Sequence, residues 1–125
     1  MGYDVDVIDL DMLKQVQTLL KERWPELVDG YLESATTYID NIKNGLVDGD
    51  AHVVSSNAHP LKSSSSGIGI VSVGEIAGAI EDGAKGAIEN GADMSHLDDL
   101  VLLLDDAFQR AVPRLRATVG ECASV

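Results

Sequence analysis

The sequence predicts an all-α domain: an antiparallel four-helix bundle with an additional short N-terminal helix packed across one end. Three observations carry that prediction. Apolar residues recur at three- and four-residue steps in five successive segments, short Gly/Asp-rich loops separate the later segments, and no alternating Val/Ile/Thr runs bounded by turn pairs occur. A chain of 125 residues with 45% hydrophobic content suits one domain with its own core. The domain is expected to span residues 1–125, with its core over residues 8–117.

Leu10, Leu13, Val16 and Leu19/Leu20 follow Asp9 or Asp11 as a cap and predict a first helix that ends before Trp24-Pro25. Pro25 suits the first turn of a second helix. Leu27/Val28, Tyr31/Leu32, Ala35, Tyr38/Ile39 and Ile42 form its broad apolar stripe, and it should stop near Gly45 to Gly49. Asp50 is a natural N-cap for a third helix with Val54, Ala58, Leu61, Ser65 and Ile68 on its buried side, broken by Gly67 and Gly69. Pro60 should bend or split this helix, because it removes the bond to the Ser56 carbonyl. Ser72 with Glu75 forms a capping-box pattern for a fourth helix burying Val73, Ile76/Ala77, Ile80, Ala84 and Ile88, with Asn90-Gly91 as its end. Ser95 with Asp98 is a weaker capping pattern before the fifth helix, which carries Leu97, Leu100/Val101, Leu104, Ala107/Phe108, Ala111 and Leu115. Pro113, costing roughly 3 kcal/mol in a helix interior, should kink or fray it.

Composition removes several classes of function. The lone Cys122 allows no internal disulfide and no cysteine-based metal framework, which favours a reducing, cytoplasmic setting. A net charge of −12 argues against a nucleic-acid partner, since that affinity comes from Lys and Arg displacing counterions. No apolar run approaches the roughly 18 residues of a membrane span. The N-terminus MGYDVDVIDLD is acidic rather than basic-then-apolar, so neither a signal peptide nor a membrane segment is expected. Three histidines without carboxylates at ligand spacing predict no metal. No Gly-rich phosphate loop or Ser-His-Asp set supports nucleotide binding or independent catalysis.

The third helix carries a second, polar stripe: His52, Ser55/Ser56, His59, Lys62/Ser63 and Ser66. Solvated helix faces usually carry longer Glu, Lys, Arg and Gln side chains, which are better helix formers than serine. Short hydroxymethyl groups at Ser56, Ser63, Ser64 and Ser66 instead leave an imidazole at His59 open to another protein. A neutral imidazole has a ring nitrogen free to act as a nucleophile and can form covalent intermediates. Lys62, three residues on, can offset the charge of a phosphoryl group placed there. A plain solvated face is the competing reading of this spacing.

The segment Ala58-His59-Pro60-Leu61-Lys62-Ser63-Ser64-Ser65-Ser66-Gly67-Ile68-Gly69 resembles the signature of the histidine-containing phosphotransfer (HPt) family, Ala-His-x-Leu-Lys-Gly-Ser with a Gly a few residues further on. Gly49-Asp50 and Ile80-Glu81 resemble the family's Gly-Asp and Leu-Glu, and the resemblance covers residues 8–117. It implies that His59 is the phosphoryl acceptor and Lys62 the stabilising cation, with Ser64 at the position of the family's Ser. It also implies a phosphorelay intermediate, not an enzyme in its own right, loaded by the receiver domain of a response regulator or hybrid sensor histidine kinase. Mg²⁺ is expected on the partner receiver and no cofactor on this chain. Ser63 departs from the family's Gly but stays small.

Docking is expected on the His59 face together with Leu10, Met12 and Leu13 of the first helix, and the chain is expected to be a monomer. Two alternatives remain at this stage: a histidine-independent helical adaptor that binds or sequesters a receiver, and a structural bundle without phosphoryl chemistry.

Overall fold

A computed structural model describes residues 3–123, the side chains only to residue 120. Five α-helices follow one another: α1 (Leu10–Leu20), α2 (Trp24–Asp48), α3 (Ala51–Gly67), α4 (Val71–Asn90) and α5 (Leu97–Ala123). A short 3₁₀ turn, Lys21–Arg23, joins α1 to α2. No strand occurs among the described residues, and no helix there is long and apolar enough to cross a membrane. Helices α2 to α5 pack in a ring, each consecutive pair in contact and α2 closing against α5. This is the antiparallel bundle that short connections favour.

The caps explain most boundaries. The Asp9 carboxylate accepts the Met12 N–H at 3.1 Å and starts α1, and Asp50 does the same for Val53 at 3.2 Å in α3. Gly49 and Gly91, at φ of 69° and 67°, take the left-handed conformation that ends α2 and α4 without a Cβ penalty. The two expected serine caps are not made. Helix α4 begins at Val71, and the Ser72 hydroxyl instead accepts the Val7 N–H at 2.7 Å while the Ser72 N–H donates to the Val7 carbonyl. At the start of α5 the Ser95 hydroxyl donates to Asp93 at 2.8 Å.

Neither proline breaks its helix: α3 runs through Pro60 as one element, and α5 through Pro113. The carbonyls that lose a donor belong to Ser56 and Gln109, both exposed residues that water can serve. Of the two readings the sequence left open at Pro60, a bend or a split, the split is not found. Ile88, expected in the core, is exposed near the end of α4.

The core is one apolar cluster drawn from all five helices, with Trp24, Ile42, Val54, Leu61, Ile76, Ile80, Leu104 and Leu115 fully buried. Its buried polar groups are paired: Trp24 Nε1 donates to Thr118 Oγ1 at 2.9 Å, and the Tyr31 and Ser65 hydroxyls bond at 2.7 Å. Burial lifts the Tyr31 phenol to about 12, with the Ser65 bond acting weakly in the opposite direction. Helix α1 lies at the end where α3 turns into α4. There the Asp9 N–H donates to the Gly69 carbonyl at 2.8 Å, and a Cβ on Gly69 would stand only 2.6 Å from the Asp9 carbonyl oxygen. Leu13 enters the core from α1.

The α3–α4 contact, which places the site, is the most extensive in the bundle. Two glycines of α4 allow it. A Cβ on Gly74 would collide with the Ser66 hydroxyl, and one on Gly78 would lie 3.0 Å from Lys62 Cδ.

Candidate functional site

His59 projects from the middle of α3 at the seam with α4, its side chain 62% exposed. Across the seam stands Glu81 of α4, only 2% exposed. The imidazole Nδ1 lies 2.8 Å from Glu81 Oε2. A carboxylate can only accept, so Nδ1 carries a proton, and in the neutral ring Nε2 is the nitrogen with the lone pair. The buried carboxylate thus orients the ring and, in its neutral form, favours the tautomer whose unprotonated nitrogen is the one not engaged by Glu81.

Glu81 also collects two lysines. Lys85, one turn further along α4, places Nζ 3.0 Å from Oε2. Lys62, one turn beyond His59 on α3, places Nζ 3.1 Å from Oε1, an ion pair set off the line of a well-aligned hydrogen bond. Burial pushes the Glu81 carboxyl up. The contacts from Lys85, Lys62 and His59, with the charge of Lys62, outweigh it and hold the group at about 2, below its ordinary 4.5. The carboxylate is therefore ionised at neutral pH.

The structure spreads the expected site residues around His59. Lys62 is joined to His59 through Glu81 rather than directly. Ser63 and Ser64 are exposed and line an open groove between α2 and α3, with Leu20, Leu27 and Tyr38 on its other walls. Ser66 turns toward α4 and lies over Gly74, and Ser56 is exposed one turn before His59. Of the docking residues, Leu10 and Met12 are exposed, but Leu13 is only 3% exposed and packs in the core, so it offers no surface to a partner. Leu19, at 80% exposed, is the most exposed apolar residue of α1. No group of three or more His, Cys, Asp and Glu is placed to hold a metal ion among the described residues.

Glu81 and Lys85 were not singled out as site residues from sequence. A signal was present: Glu81 falls on the same core-facing stripe of α4 as Ala77, Ile80 and Ala84, where an unpaired carboxylate would be costly.

The Hpt domain family model matches residues 26–117, which is most of the chain. The chain belongs to the Hpt domain family. Among curated proteins, none matches the sequence significantly. The fold is similar to that of histidine-containing phosphotransfer protein B (HptB) from Pseudomonas aeruginosa PAO1. The TM-score with that crystal structure is 0.82 at 19% sequence identity, covering 94% of this chain and 96% of that one. His59 lies within the matched Hpt segment, as do all three of the side chains that converge at its base.

Proposed function

We propose that this Hpt domain is a phosphorelay intermediate that accepts a phosphoryl group on His59 Nε2 from a receiver-domain aspartyl phosphate and passes it to a second receiver. The observation that carries this reading is the 2.8 Å contact between His59 Nδ1 and the buried Glu81 carboxylate, which leaves an outward ring nitrogen with its lone pair.

In the loading step the Nε2 lone pair forms the N–P bond as the P–O bond to the aspartyl carboxyl breaks. The aspartate leaves with that electron pair as a carboxylate. The ring becomes a cation carrying the phosphoryl group on Nε2 and the proton on Nδ1, and the Glu81 carboxylate faces the charge that develops there. Lys62 offsets charge on the phosphoryl oxygens. Transfer to the next receiver reverses each bond change. On this reading the receiver contributes the Mg²⁺, and this chain supplies the nucleophile and local cations without a reaction of its own.

Docking of the receiver uses the exposed stretch of α3 around His59, the α2–α3 groove beside Ser63 and Ser64, and the outer face of α1 at Leu10, Met12 and Leu19. The interface is small and transient, as relay encounters require. The chain works as a monomer in the cytoplasm, where its receivers would be.

The test is transfer from a panel of ³²P-labelled receiver domains to the wild-type chain and His59→Gln. Acid-labile, base-stable label on wild type that is absent from His59→Gln supports the carrier. Receiver binding without label on either chain would replace it with the adaptor reading.

A further inference from the structure

Glu81 meets two lysines, one on the helix that carries His59 and one on its own helix. Lys62 sits on the same helix as His59, its stem laid across Gly78 and its ammonium alone at Glu81 Oε1. Lys85 sits on the same helix as Glu81, one turn on, and shares Oε2 with His59 Nδ1. At 43% and 54% exposure, both lysine side chains have room to move.

A phosphoryl group on Nε2 creates a second claim on Lys62. If Lys62 turns to it, Oε1 of a carboxylate that is 2% exposed loses its counter-charge. The charges decide whether that is tolerable. Glu81 with both lysines is a cluster of net +1, which becomes neutral when a dianionic phosphoryl group and the imidazolium that carries it join it. Without Lys85 the same cluster starts neutral and reaches −1, and the buried carboxylate and the phosphoryl group compete for one ammonium.

We propose that Lys85 is a positioning residue that holds the Glu81 carboxylate while Lys62 moves its ammonium from Glu81 to the phosphoryl group on His59. The inference rests on the carrier reading of His59. Lys85 never contacts the phosphoryl group; it acts by releasing Lys62.

Potassium phosphoramidate tests this on the full chain without a partner protein. His59 Nε2 attacks phosphorus, the P–N bond breaks and ammonia departs with the electron pair. Initial rates are compared for wild type, Lys62→Met, Lys85→Met, the double variant and Lys85→Arg. Each single Met variant is expected to slow labelling about fivefold, and the double variant to be no slower than either, because both remove one function. Lys85→Arg, which keeps the charge, retains the wild-type rate. In ¹⁵N spectra of Lys85→Met the His59 proton stays on Nδ1, so the slowing is not a loss of ring orientation.

Wild-type labelling in Lys85→Met, or slowing in the double variant equal to the product of the two singles, overturns the proposal. Lys85→Gln gives the same comparison should the Met variant fold poorly. A wild-type chain that takes no label on His59 from phosphoramidate or any receiver would instead remove the carrier reading itself.

Discussion

Replacing Glu81 with glutamine separates charge from hydrogen-bond geometry at His59. The amide oxygen can still accept from Nδ1 at the 2.8 Å position, so the ring keeps its place, but the negative charge facing the imidazole is gone. The half-exposed ammonium groups of Lys62 and Lys85 then turn to solvent. A hydrogen bond to a charged group contributes about 1.5–3 kcal/mol net, against about 0.5–1.5 for a neutral one. The difference falls on the loaded state and on the transition state leading to it, where the ring becomes cationic. A loss of about 1.4 kcal/mol corresponds to roughly tenfold slower phosphorylation. Glu81→Ala removes the acceptor as well and frees the ring to place its proton on Nε2, so it should be slower again. The assay is the initial rate of label transfer from one phosphorylated receiver, with ¹⁵N shifts of the imidazole reporting the tautomer. Wild-type rates in both variants would refute the role of Glu81, as would an unchanged tautomer in Glu81→Ala.

The same carboxylate should shape the acid limb of stability. Its folded pKa, about 2, lies below the ordinary 4.5, so its stabilisation is complete above 4.5 and is lost as pH falls toward 2. The shift caps this at on the order of 3 kcal/mol, and screening of the half-exposed partners reduces it to about 1–2. Urea midpoints of wild type and Glu81→Gln should converge over that window; parallel curves would contradict the assignment. Leu13→Ala should cost about 2–3 kcal/mol by urea unfolding, since Leu13 is core, whereas Leu19→Ser should change stability by less than about 0.5. Equal effects of the two would refute the placement of α1. Thr118→Val strands the buried Trp24 N–H and should lower stability by about 1–3 kcal/mol, and an unchanged midpoint would mean that the indole has another acceptor.

Helical periodicity made most of the fold legible, because each stripe reports which face meets the core. Asp9, Asp50, Gly49 and Gly91 then mark ends through interactions confined to a few neighbouring residues. Ser72 failed as a cap for the opposite reason: its hydroxyl is taken by Val7, a residue 65 positions away. Pro60 and Pro113 do not end their helices, and the carbonyls they leave without a donor belong to the exposed residues Ser56 and Gln109. At the site, His59 and Lys62 could be read from one contiguous motif. Glu81 shares the core-facing stripe of Ala77, Ile80 and Ala84, which marks it as a carboxylate in need of partners, but only the packing of α3 over α4 shows that the partners are His59, Lys62 and Lys85.

Trp24 is the single tryptophan of the chain, fully buried and hydrogen-bonded to Thr118 at the joint between the 3₁₀ turn, α2 and α5. The molecule therefore carries one indole fluorophore, buried and hydrogen-bonded, and its emission is a reporter of that joint. An emission shift to the red would signal separation of α2 from α5. His59 lies on α3 against α4 and forms no part of this joint, so fluorescence and phosphohistidine label should give independent records of folding and function on the same sample.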